Sequence, residues 1–151
     1  MGPHFIYWWY EPVFMGVKVG YGRDPRLRML EYAQSYNFRP KESSLRYREM
    51  RSERAAKYAE EQLHQALRDY ELIDLPWEAR TGKGKARELF DMANYDWETV
   101  DWLVAELLTE VVRTMPTDKE LVEAEMAEFE RIRATYRQGV RGPIGEDDIP
   151  F

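Results

Sequence analysis

Among the first sixty residues are the phenol of Tyr7, the ammonium of Lys18, the guanidinium of Arg28 and the carboxylate of Glu60, a set that composition alone does not single out. Together they contain what hydrolysis of a phosphodiester requires. A phenol or phenolate assists deprotonation of water, a guanidinium holds a phosphate through two parallel hydrogen bonds, and a carboxylate anchors a divalent cation that stabilises the leaving oxygen. His64 follows Glu60 by four residues and so shares its helix face. Each of these residues also has a plainer reading. Tyr7 lies in the aromatic run FIYWWY and suits a core strand, and Arg28 suits a solvated helix arginine paired with Glu31 or Glu11, an arrangement contributing only ~0–1 kcal/mol. Glu60 has Glu61 beside it, and helix acids ordinarily face solvent; His64 suits a structural histidine. Residue types alone do not choose between the two sets of readings.

The elements that must position these groups follow from pattern. HFIYWWY over residues 4–10 is β-prone, VKVGY over 17–21 alternates, and the intervening EPVFMG makes the two an antiparallel hairpin with an irregular turn. Asp24-Pro25 is a helix start, aspartate as N-cap and proline at the first helical position, and a helix over 25–36 with Leu27, Leu30, Tyr32 and Ala33 inward is expected. After Asn37 and Pro40, residues 45–50 alternate as a third strand. Ser52 caps a long second helix whose apolar face is Ala56, Ala59, Leu63, Ala66, Leu67 and Tyr70. TGKGKAR, residues 81–87, is a glycine-rich basic loop; RELFDM returns the chain to the core. A third helix begins at Asp96 with Trp97, Val100, Val104, Leu107, Leu108 and Val111 on one side, and Met115-Pro116 ends it. Thr117 to Glu120 has the spacing of a capping box and opens a fourth helix to about residue 138. The expected fold class is α+β: a small three-stranded antiparallel sheet flanked by helices, with a C-terminal helical pair. The expected organisation is a core over residues 1–94, a helical appendage over 95–138 and a flexible tail over 139–151.

Composition narrows the functions these elements can serve. With no cysteine and only His4 and His64, disulfide frameworks, thiolate metal sites and histidine-built zinc sites are excluded. The absence of cysteine suits a reducing, cytoplasmic setting. No stretch approaches the apolar length needed to span a bilayer, and the start MGPHFIYWWYEP lacks the basic region of a secretory signal, so no membrane partner is expected. A net charge of -6 argues against a broad nucleic-acid surface, yet the charge is unevenly spread. In residues 1–58 basic side chains outnumber acids, whereas residues 91–151 are strongly acidic. A polyanion would therefore dock on the first half, near Arg23 and Arg26, with Lys83 and Lys85 of the basic loop as further contacts. Gly20-Tyr21-Gly22 lacks the third glycine and the βαβ setting of a nucleotide-binding turn, and TGKGK lacks the spacing and final hydroxyl of a phosphate loop. Trp97 and Trp102 are packing residues by their helical spacing; should they point opposite ways, one is left for a partner.

FIY at 5–7 and KVG at 18–20, separated by ten residues, resemble the paired motifs of the GIY-YIG nuclease superfamily. MGVKVGYGRDPRLRMLEY, then AEEQLH at 59–64, then RELF at 87–90, is similar to the phage-associated T5orf172 or Mug113 branch, whose members read VKIG, DP-x-x-R, AE-x-x-LH and RE-[WF]-F in that order. The resemblance covers residues 4–92. It implies a DNA endonuclease, of phage or mobile-element origin, using Mg²⁺ or Mn²⁺. It places the catalytic tyrosine on Tyr7, the helix arginine on Arg28, the metal-binding glutamate on Glu60 and the accompanying histidine on His64. Two positions depart from the superfamily pattern: Phe5 replaces the first glycine, and Lys18 replaces the second tyrosine. An ammonium there would lower the pKa of Tyr7 or contact phosphate rather than act as a base. The alternative function is a catalytically weak or inactive scaffold serving as an inhibitor or adaptor. The expected partners are DNA, and a second copy or a protein partner bound through residues 95–138.

Overall fold

The aromatic run and its valine-rich neighbour pair as expected, β1 over His4–Glu11 and β2 over Gly16–Gly22, with Phe5 opposite Gly22 and Glu11 opposite Gly16. The computed structural model describes residues 2–12, 15–69, 89–91 and 94–139. Lys83 and Lys85, the basic loop that carries them, and residues 140–151 lie outside the described residues. Beyond the hairpin come α1 (Pro25–Ser35), a short 3-10 turn (Glu42–Ser44), β3 (Arg46–Met50), α2 (Glu53–Asp69), β4 (Leu89–Asp91), α3 (Trp97–Arg113) and α4 (Asp118–Gly139).

The sheet has four antiparallel strands in the order β3-β1-β2-β4 rather than the expected three. The fourth comes from the RELF segment: Leu89 pairs with Lys18, Phe90 with Val17 and Asp91 with Gly16. Three residues are too short for alternation to show, so nothing local marked them as a strand. On the opposite edge, β3 buries only Met50 within Arg46–Met50, because an edge strand has a neighbour on one side alone.

Alternation along β1 sends side chains to two separate cores. Ile6 and Trp8 join Val17, Val19 and Phe90 against Ala55, Ala56, Ala59, Leu63 and Leu67 of α2 and Val100, Val104 and Leu108 of α3. The alanines let α2 approach closely over the large Trp8 ring. Tyr7 and Trp9 face the other way, onto Met29 and Tyr32 of α1. Pro25, Met29, Tyr32 and Ala33 form the inward stripe of α1, whereas Leu27, expected inside, is 49% exposed. Helical spacing from Pro25 selects 29, 32 and 33 and turns position 27 outward.

The helix starts follow the sequence signals. The Asp24 carboxylate accepts from Leu27 N at 3.1 Å, Ser52 Oγ from Ala55 N at 3.1 Å, and the Asp96 carboxylate from Thr99 N at 2.8 Å. After α1, Asn37 takes a left-handed backbone with φ 56 and Phe38 N donates to Ala33 O at 3.0 Å, closing the helix.

Residues Met1–Met115 form one compact unit and Pro116–Phe151 a second. α3 belongs to the first unit and supplies part of the larger core. It is also tied to the sheet by Asp101, whose two carboxylate oxygens accept from Trp8 Nε1 at 2.8 Å and Arg46 Nε at 3.1 Å. Trp97 lies 6.1 Å from the Tyr10 ring, while Trp102 is 63% exposed, so the two tryptophans of α3 do diverge. No helix among the described residues is long and apolar enough to cross a membrane.

In the second unit the capping box forms as drawn: Thr117 N donates to Glu120 Oε1 at 2.8 Å and Glu120 N to Thr117 Oγ1 at 3.1 Å. The backbone N–H of Thr117, and then its hydroxyl, hold the Glu120 carboxyl below its ordinary 4.5. A lowered carboxyl pKa contributes stability that is full above the ordinary value and is lost as pH falls through the lowered one. Far-UV circular dichroism is therefore expected to lose helical signal on acidification below 4.5. Thr117→Ala should lower helicity at neutral pH and flatten that acid limb; an acid limb unchanged in the variant would show that the cap contributes nothing.

Candidate active site

Two glycines of β2 open a lane across one face of the sheet. Tyr7 sits opposite Gly20, and its ring lies flat over that residue: a Cβ built at Gly20 would stand 2.7 Å from Tyr7 Oη and 2.9 Å from Cζ. Trp9 backs the ring in a parallel stack, centroids 5.2 Å apart and planes 4° apart. One position along, a Cβ at Gly22 would be 3.7 Å from the Tyr7 ring and 3.8 Å from Arg28 Cγ. Tyr7 and Arg28 thus both flank Gly22. Arg28 is delivered there by the Asp24 cap and Pro25, which begin α1 immediately after β2, and its guanidinium is 3.8 Å from Glu31, both side chains about half exposed. Glu31 is one of the two carboxylates weighed from sequence as partners for Arg28.

The second helix reaches the same strand from the other side. His64 Nε2 lies 3.1 Å from the carbonyl oxygen of Val19, and its ring packs on Phe90 at 5.0 Å. A carbonyl oxygen only accepts, so Nε2 donates, and in the neutral ring Nδ1 remains an acceptor. Val19 follows Lys18, which pairs with Leu89 of β4. Glu60, one turn earlier on α2, is half-buried, and its Oε2 is shut off from solvent. Among the described residues no group of three or more His, Asp or Glu side chains stands together as a metal site. Few carboxylates suit Mg²⁺, which keeps several waters and is commonly held by one or two of them together with substrate phosphates.

Lys18 shares the face of Tyr7 and Trp9, being directly opposite Trp9, but it is only 4% exposed. Its ammonium stands 5.7 Å from the centre of the Tyr32 ring. Direct contact with a phosphate, one of the two roles considered for it, does not fit that burial. Glu11, weighed from sequence only as a partner for Arg28, is fully buried at the end of the same row, opposite Gly16. Burial first, then the charge of Glu11, then Tyr36, push the Tyr32 hydroxyl well above the ordinary tyrosine range, so it stays neutral. A strand acid in the same alternation phase as Tyr7 and Trp9 was the available signal for Glu11. Arg23 is exposed and lies alongside Gly2, and Arg26 is exposed with its Nε 3.0 Å from Glu42. Tyr7 itself is 1% exposed.

The T5orf172 domain model matches residues 4–114, from the first strand through the end of α3. No curated protein and no solved structure matches the chain. The matched span coincides closely with the first compact unit and includes each of Tyr7, Lys18, Arg28, Glu60 and His64. With nearly three quarters of its length under one family model whose members have a GIY-YIG-like, nuclease-like fold, the chain belongs to the T5orf172 domain family.

Proposed function

We propose that the protein is a divalent-metal-dependent endonuclease that hydrolyses phosphodiester bonds in DNA. The observation that carries this reading is that Tyr7 and Arg28 both flank Gly22, on the strand whose Val19 carbonyl holds His64 of α2. Glu60 would hold Mg²⁺ or Mn²⁺, which when bound supplies positive charge to the leaving oxygen. Arg28 takes the scissile phosphate; its exposed pairing with Glu31 contributes only ~0–1 kcal/mol and is readily exchanged for the singly charged phosphodiester. Tyr7 Oη, at the glycine lane, accepts or relays the proton of the attacking water. Lys18 acts from below, its buried positive charge favouring the phenolate form of Tyr7 rather than touching DNA. His64 holds α2 to β2 through Nε2 and orients or relays a proton.

The test is nicking of supercoiled plasmid with Mn²⁺. Glu60→Ala and Arg28→Ala are each expected to reduce the rate by on the order of 100-fold, the usual cost of removing one group that stabilises transition-state charge. Arg28→Lys should recover little, since an ammonium does not reproduce the two-pronged contact. Trace activity equal in wild type and both alanine variants would sink the nuclease reading. That result would favour the second reading, a scaffold that binds without cutting. The burial of Tyr7 and Lys18, 1% and 4% exposed, is the observation in its favour.

A further inference from the structure

The described surface of α4 is solvent-exposed from Val122 through Arg137, yet it carries a continuous apolar stripe. Val122, Met126, Phe129, Ile132 and Tyr136 are 36%, 59%, 57%, 50% and 46% exposed. At 3.6 residues per turn these five positions fall within an arc of about 120° and extend for about 21 Å along the helix. Their spacing is symmetric about Phe129: three residues to Met126 and Ile132, seven to Val122 and Tyr136.

Charge along the same helix is polarised. Residues 118–128 carry five acids and one lysine, and residues 130–139 carry three arginines and one acid. A parallel pairing of two such helices would set like charge against like. An antiparallel pairing sets each acidic half against a basic half and also opposes the two helix dipoles.

We propose that α4 is a homodimerisation helix that packs antiparallel on α4 of a second copy, with the two-fold axis at Phe129. In this register Val122 faces Tyr136, Met126 faces Ile132, and Phe129 meets its own counterpart. Glu125 falls opposite Arg133. Glu128 and Glu130, which approach one another near the axis, are each already paired within their own helix, to Arg131 and Arg133. An isologous contact of this kind closes on itself and generates a dimer rather than a filament. None of this rests on the catalytic assignments.

Sedimentation velocity of the full chain over a concentration series, with a matched series at high salt, tests the idea. The expected result is a dimer that dissociates on dilution and weakens with salt. Phe129→Glu, which sets two carboxylates against each other at the axis, should give a monomer at all concentrations with unchanged circular dichroism. Orientation is tested by cysteine placement, since the chain has none of its own. A mixture of Val122→Cys and Tyr136→Cys proteins should cross-link under oxidation far more than either protein alone. A wild-type monomer throughout, a dimer indifferent to Phe129→Glu, or faster cross-linking of Val122→Cys with itself would overturn the proposal. The first of these would assign the stripe to another occupant.

Discussion

Gly20→Ala is expected to destabilise the protein by about 1–3 kcal/mol, the range for forcing extra atoms into a filled core. The added methyl would lie 2.7 Å from Tyr7 Oη, 2.9 Å from Cζ and 3.0 Å from Cε1, all on a ring that is 1% exposed and stacked on Trp9. Gly20 has no positive φ, so its backbone would accept alanine without strain. Where space allows, the same substitution usually stabilises by about 0.4–1 kcal/mol through the unfolded chain, and the sign at this position is therefore set by the ring alone. A double-mutant cycle isolates the effect. In a Tyr7→Val background the atoms that collide are gone, and the cost of Gly20→Ala should vanish or reverse in urea denaturation. Equal costs in both backgrounds would mean that the ring does not lie over Gly20. Plasmid nicking by Gly20→Ala should fall alongside stability, because the phenol is pushed out of the lane it shares with Arg28.

Much of the scaffold was legible because its signals are local. Asp24-Pro25, Ser52 and the Thr117–Glu120 box each place a hydrogen-bonding side chain beside the backbone amides it satisfies, and each forms as read. What failed to show depends on partners distant in sequence. Leu89–Asp91 becomes a strand only because Gly16–Lys18 offers it an edge, and Asp101 ties α3 to the sheet across more than fifty residues of chain. Leu27 was placed inward by its type, whereas the phase set by Pro25 and Met29 turned it out. The candidate site divides along the same line. Motif order located Tyr7, Arg28 and Glu60, but the burial of Lys18 and the presence of Glu11 in its row follow from cross-strand register, which no motif encodes.

That buried row leads to the second large effect. Lys18→Met and Glu11→Leu, made singly, are each expected to cost about 3–5 kcal/mol, because each strands an opposite charge in the interior. Glu11 is 0% and Lys18 4% exposed. On β2 Lys18 lies two residues from Gly16, the partner of Glu11, so the two side chains are diagonal neighbours on one face of the sheet. Tyr32 senses both: the Glu11 charge helps push its hydroxyl up, and the Lys18 ammonium stands 5.7 Å from its ring. The double substitution should be far less damaging than the sum of the singles, since a row with neither charge needs no compensation. Urea denaturation of the four proteins measures the coupling; strictly additive costs would show that the two charges do not see one another. The double variant, folded but without the ammonium, then separates support from contact at the site. If Lys18 acts by favouring the phenolate of Tyr7, its nicking rate should fall at neutral pH and recover as pH rises toward the ordinary tyrosine range. A rate lost equally at every pH would instead give Lys18 a direct hold on the phosphate, reached only when DNA opens the α1 face of the sheet.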